Sequence, residues 1–177
     1  LLMQLAERLG IKAPDCTEAR QKAEQALGEA QDLIGQTPIA IDLTFTFRPL
    51  SLARLLLRHS FHVTKIYADA ISPEEEADFR YLQEHHGDIE LWPTKAPLLR
   101  KLPRPAHAEV APACLALGQK AAFCQGTQHF VNLVEGGGRW GLSAIESLAQ
   151  DMIAAYRTPK DIEANVRRKG LGGPSLL

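Results

Sequence analysis

Over residues 2–9 and 17–34 the apolar side chains recur at intervals of three and four. In QKAEQALGEAQDLI, Ala23, Ala26, Leu27, Ala30, Leu33 and Ile34 fall on one side of a helix. This spacing predicts a helical lead-in. Near residue 37 the pattern changes. TPIAIDLTFTF is a short apolar run of β type, PLSLARLLLRH returns to helical spacing with Leu52, Leu55 and Leu56 together, and FHVTKIYAD is β-like again.

SPEEEADFRYLQEHH reads as the next helix, with Ser72 at the N-cap, Pro73 at the first helical position and Glu75 closing a capping box. Gly87 can end it. DIELWP predicts a short strand, and the proline-rich KAPLLRKLPRPAHAEVAP a helical turn followed by an extended connection. PACLALG, QKAAFCQG and HFVNLVE then give strand, short helix and strand. Ser143 and Glu146 repeat the capping-box spacing ahead of an apolar stripe of Ile145, Leu148, Ala149, Met152, Ile153 and Tyr156. TPKDIEANVRRKG predicts a last helix with Thr158 as cap and Pro159 at its first position, before the tail KGLGGPSLL.

Strands alternating with helices at this spacing imply right-handed crossovers and a three-layer α/β/α domain around a mostly parallel sheet of four to five strands. The expected division is a lead-in over 1–35 belonging to a preceding domain, the α/β domain over 36–157, and a C-terminal helix and tail over 158–177. Open parallel sheets bind ligands beyond the carboxyl ends of their strands. The segments expected there are 43–48, 68–72, the turn near Thr94, 118–120 and 135–141.

Composition narrows the function classes. With 45% hydrophobic residues over 177 positions, the chain has material for one well-formed core. Its 20 basic and 21 acidic residues leave a formal net charge of −1, no basis for a polyanion-binding field, so nucleic acid is not an expected partner. The opening LLMQLAERLG is interrupted by Glu7 and Arg8, and no long apolar run follows, so neither a membrane span nor a signal peptide is expected and the cytoplasm is the default compartment. Cys16, Cys114 and Cys124 are scattered without a CxxC pair, which fits reduced thiols and cannot make a four-cysteine metal or cluster site. No metal ligands are expected in this chain. The start without methionine, in mid-pattern, points to a piece of a longer protein.

The candidate chemistry gathers on VEGGGRWGLSAIESLAQDM. Gly136, Gly137 and Gly138 permit close backbone approach, the helix that follows offers free N–H groups, and Arg139 adds a cation. With Glu135 and Trp140 they make a loop suited to an anionic ligand, a cofactor edge or a partner domain. Three adjacent glycines exceed what a turn needs, so the excess reads as clearance. The loop is neither a Walker A sequence nor a first-unit GxGxxG. Thr44, Thr46 and Gln119 join the candidate list from the other carboxyl-edge segments. Catalytic residues cannot be assigned. His59, His62, His85, His86 and His129 read as structural, Cys114 and Cys124 as buried thiols, and Asp42 as a polar residue satisfied by the following helix.

In order, TPIAIDLTFTFRPLSLARLLLRHSFHVTKIYAD, SPEEEADFRYLQEH, PACLALGQKAAF and RWGLSAIESLAQDMIAAY resemble segments of the nitrogenase component 1-type oxidoreductases, which include the nitrogenase subunits, their cofactor-assembly scaffolds and the dark-operative reductases of chlorophyll synthesis. The resemblance covers roughly residues 36–157, the C-terminal Rossmann-like domain of that family. It implies a domain of a multi-subunit reductase that receives electrons from an ATP-dependent iron–sulfur protein. An iron–sulfur cluster is then expected in the full-length complex and no cofactor in this chain alone. Partners would be the other domains and subunits of the complex and the iron–sulfur reductase. The loop VEGGGRW lacks the cofactor histidine of true nitrogenases, so the likeness is to a nitrogenase-like paralogue. Two further readings stay open: a non-catalytic assembly scaffold or interface domain of the same family, and the nucleotide- or sugar-phosphate-binding half of a transferase.

Overall fold

The computed structural model describes residues 2–100 and 113–168. The chain runs α1 (Leu2–Leu9), α2 (Thr17–Ile34), β1 (Ile39–Asp42), α3 (Pro49–Arg58), β2 (Val63–Tyr67), α4 (Glu76–His85), β3 (Glu90–Trp92), β4 (Leu115–Leu117), α5 (Gln119–Gln125), β5 (Phe130–Val131), α6 (Gly141–Arg157) and α7 (Ile162–Arg168). All five strands are parallel, in the order β3-β2-β1-β4-β5. The strands grow outward from β1 in one direction through β3 and then in the other through β4 and β5. The sheet's switch point therefore lies between β1 and β4.

Alternation along the strands sorts the core into two halves. Ile39, Ile41, Leu115, Leu117 and Val131 face one side and pack with α2, α3, α4 and α6, while Ala40, Ala116 and Phe130 face the other with α5 and α7. This is the three-layer Rossmann-like arrangement that the strand–helix alternation predicts. The runs IAID and LAL are buried throughout, as strands covered on both faces require.

The lead-in is part of this core. Ala26, Leu27, Ala30 and Ile34 of α2 share one cluster with Ala149, Met152 and Ala155 of α6, and the small side chains let the two helices pack closely. The division expected at residue 35 therefore does not coincide with a break in packing. Nor does residue 158, because Ile162 and Val166 of α7 pack under Phe123 and Phe130. The tail from residue 169 and most of the proline-rich connection lie outside the described residues, apart from a 3₁₀ turn over Pro97–Arg100.

Three expected helix starts are corrected. Ser72 makes no side-chain cap bond, and a 3₁₀ turn over Pro73–Glu75 precedes α4. Glu75 does not close a local box: its Oε1, on a side chain left 1% exposed, accepts the N–H groups of Leu50 and Ser51 at 2.8 and 2.9 Å and so caps α3 from a distance. Helix α6 begins at Gly141, which puts Ser143 inside its first turn, where its hydroxyl donates to Trp140 O at 3.2 Å. The last helix starts later than Thr158–Pro159 implies, since Asp161 Oδ1 accepts the Ala164 N–H at 2.9 Å and serves as its N-cap.

Below α3 the polar seam to α4 continues. Asp78 accepts a hydrogen bond from Ser51 Oγ at 2.5 Å and pairs with Arg54 at 2.8 Å, and the Arg54 guanidinium lies 4.3 Å from the centre of the Tyr81 ring. Burial pushes the Asp78 carboxyl up, but the Ser51 hydrogen bond and the Arg54 guanidinium outweigh it and hold the group below its ordinary value of 3.8.

Two stability outcomes follow from this packing. Met152 is fully buried between α6 and α2, so Met152→Ala should destabilise the chain by about 2–5 kcal/mol in urea unfolding. Asp78 titrates lower folded than unfolded, so its contribution is present above the unfolded value and is lost as pH falls through the folded one. Asp78→Asn should therefore lower the urea midpoint at about pH 6, and its gap to the parent should narrow as the pH falls below the ordinary carboxylate range. A gap that does not change with pH would rule out the charge as its origin.

Candidate functional site

The switch point between β1 and β4 is where an open α/β sheet offers helix N-termini and turn amides to a ligand. Here it is filled by the chain's own carboxylate. Asp42, the last residue of β1 and fully buried, accepts hydrogen bonds at Oδ1 from Thr44 N (2.8 Å), Thr44 Oγ1 (2.5 Å) and Phe45 N (3.1 Å). Its Oδ2 accepts from Ala121 N in the first turn of α5 at 2.8 Å. The sequence expectation of a satisfied Asp42 holds, but the helix it caps is the one after β4, not the one that follows it in the chain. Gly118, at the end of β4, makes this approach possible: its φ is +112°, and a Cβ there would lie 2.2 Å from Asp42 Oδ2. An anion arriving at α5 would find both an occupied amide and a negative group in its place.

The glycine loop lies at the same edge and is tied to the β1–α3 loop. Glu135 N donates to Thr44 O and Gly136 N to Phe45 O, each at 2.8 Å, so the two loops form one clamped pair. Residues Glu135, Gly136, Gly137 and Gly138 make a one-turn segment with φ of +52°, +74°, +59° and +73°, closed by Gly137 N to Val134 O and Arg139 N to Gly136 O. This geometry gives the glycines a requirement of their own beside clearance. Left-handed backbone at Gly136, Gly137 and Gly138 calls for glycine on its own account, and the atom nearest to a Cβ at Gly137 is Leu133 Cδ1, at 2.5 Å. A valine at 137 would strain the turn.

The other candidates divide between engaged and outward-facing groups. Arg139 is not a free cation: its guanidinium pairs with Asp151 of α6. Gln119 is buried, and its Oε1 accepts from Asn165 Nδ2 at 3.2 Å, which ties α5 to α7. Thr44 is spent on Asp42, and Thr46 Oγ1 accepts the Arg48 N–H at 3.2 Å. Trp140 and Phe47 are different. Trp140 is 84% exposed on the glycine-loop side and Phe47 is 68% exposed on the β1–α3 side, with Val134 also exposed beside the glycines. Phe47 carries no sequence signal of its own, because an aromatic between Thr46 and Arg48 looks like a core residue until the fold leaves it exposed.

Three histidines serve structure. His62 Nδ1 lies 3.1 Å from Gln36 O, His85 Nδ1 3.0 Å from Tyr81 O, and His129 Nδ1 3.0 Å from Ala155 O. Cys114 is buried, and burial pushes its thiol up to about 12, so it is no nucleophile in the folded chain. Cys124 is half-buried, less enclosed than the sequence implied. Among the described residues no group of three or more His, Cys, Asp or Glu side chains could hold a metal ion, and no helix is long and apolar enough to cross a membrane.

Comparison with known proteins assigns nothing further. No protein-family model matches the chain, and no curated protein matches it.

The switch-point arrangement gives a direct outcome. Asp42→Ala would leave three backbone N–H groups without this acceptor and should cost on the order of 3 kcal/mol or more in urea unfolding. Gly118→Ala should also destabilise, through the clash with the same carboxylate. In the double variant the two losses should be clearly sub-additive, because each removes the same contact. Fully additive losses would mean that Gly118 matters for its backbone conformation alone.

Proposed function

We propose that this chain is a domain of a nitrogenase-like multi-subunit reductase, and that its clamped carboxyl-edge loops abut a neighbouring domain or subunit and form one wall of a shared cofactor or substrate site. The observation that carries this reading is the exposure of Phe47 and Trp140 on two loops held together by backbone hydrogen bonds. Exposed aromatics on a rigid support are the side chains that anchor protein interfaces, where they combine large apolar area with little rotamer entropy to lose. The resemblance over residues 36–157 supplies the family, and the parallel three-layer sheet is the fold which that resemblance implies.

In this reading the domain contributes shape and contact surface, not catalytic groups. Asp42, Gln119 and Arg139 are all committed to partners inside the chain, which favours an interface or cofactor-wall role over chemistry performed here. Electrons would enter the complex from an ATP-dependent iron–sulfur reductase, and the iron–sulfur cluster would be held by other parts of the complex. A non-catalytic assembly scaffold of the same family would use the same surface. The transferase reading draws less support, because the amides that would meet a phosphate at the switch point are taken by Asp42.

The test is a Phe47→Ser/Trp140→Ser double variant in the full-length parent protein. Its subunit association should weaken by about thirtyfold or more, with reductase-driven turnover lost in parallel, since anchoring aromatics typically contribute about 2 kcal/mol or more. Thermal stability of the isolated chain should stay unchanged, because neither ring is packed. Wild-type association and turnover in the double variant would overturn the proposal.

A further inference from the structure

A concave surface lies on the helical layer. Helices α2, α3 and α6 enclose an open cleft of about 680 Å³. Its walls carry Arg20 and Glu24 from α2, Ser51, Arg54, Arg58 and His59 along α3, Asp78 from α4, and the apolar Leu142 and Ile145 from α6. The spacing of Arg20 with Glu24, and of Ser51, Arg54 and Arg58, places each set along one face of its helix. Three arginines therefore meet two carboxylates.

Of the two carboxylates Asp78 is committed, while Glu24 faces a histidine. Asp78 holds Arg54 at 2.8 Å and Ser51 at 2.5 Å, and Glu24 lies 3.6 Å from His59 Nδ1. Arg54 is further fixed against the Tyr81 ring. Among the described residues neither Arg20 nor Arg58 pairs with a carboxylate, so two arginines on facing helices line a cleft in which Glu24 is the one carboxylate not held by an arginine. A guanidinium presents parallel N–H groups that match the oxygens of a phosphate or carboxylate, and two of them across a cleft suit a ligand with more than one anionic group.

We propose that the cleft between α2, α3 and α6 binds a small, multiply charged oxyanion, bridged between Arg20 and Arg58, with Arg54 as a fixed cation in the wall. The site shares no residue with the clamped loops and does not depend on the reductase reading.

The proposal is tested by calorimetric titration of the chain at constant ionic strength with pyrophosphate, with inorganic phosphate and with citrate. Saturable binding of pyrophosphate or citrate, tighter than that of inorganic phosphate, is expected. The pyrophosphate and citrate arms distinguish a phosphate-bearing from a polycarboxylate ligand. Arg20→Gln/Arg58→Gln should weaken binding by about tenfold or more, as expected for the loss of charge-assisted hydrogen bonds. Arg80→Gln, which removes an exposed arginine paired with Glu76, should leave it within about twofold. The single Arg20→Gln and Arg58→Gln variants alter exposed positions and carry the test if the double variant is poorly folded. No saturable binding of any of the three anions, binding indifferent to Arg20 and Arg58, or equal weakening by Arg80→Gln would overturn the site.

Discussion

The carboxylate of Asp42 sits where the two halves of the sheet meet, and the carboxyl edge is arranged around it. Taking a carboxylate out of water costs several kcal/mol unless donors surround it. Here four donors do so: the hydroxyl and amide of Thr44, the amide of Phe45 and the amide of Ala121. The first three shape the turn after β1, and the fourth fixes the start of α5 after β4. One side chain thereby joins the first crossover to the last strands, and the turn it shapes presents Thr44 O and Phe45 O to the glycine loop. Without that turn the clamped loop pair has no fixed partner.

The same device recurs at α3. Neither α3 nor α5 has a side-chain cap from its own flanking residue, Arg48 or Gly118. Glu75 serves α3 as Asp42 serves α5, each carboxylate meeting amides at the positive end of a helix that is remote in the chain. Capping by distant carboxylates makes these helix starts depend on the assembled sheet, and it removes from solvent the amides that a ligand would otherwise find. The surface left for recognition is accordingly of other kinds: exposed rings on the loop pair, and unpaired arginines in the cleft of the helical layer.

Those two surfaces differ in their physics. Phe47 and Trp140 project from backbone held by hydrogen bonds, so burying them against a partner requires little ordering of the chain. The cleft depends on charge, and its attraction for an anion is set by how far Glu24 and Asp78 are spent on their own partners. A protein complex and a small anion could thus engage the chain through separate groups.

The order of strands and helices was legible in the sequence because it rests on periodicity. Thr17–Ile34 and the buried runs IAID and LAL carry their pattern within a few residues, and the alternation of such segments is enough to imply a parallel three-layer fold. The sequence likewise marked the segment 135–141 as unusual, since four glycines around an arginine and a tryptophan are visible without a fold. What those residues do was decided only in three dimensions. Glu75 stands three residues after Ser72 and has the spacing of a local cap, yet α3 lies close enough to claim it; Ser143 and Glu146 have the same spacing, yet the helix starts before them. Arg139 looks like a free cation until α6 brings Asp151 beside it, and Asp42 like a neighbour of α3 until β4 sets α5 above it. Hydrophobic period is a property of adjacent residues and survives in one dimension. The partner of a charged or hydrogen-bonding group is whichever opposite group the packed sheet brings within about 3 Å, and that distance exists only once the strands are in place.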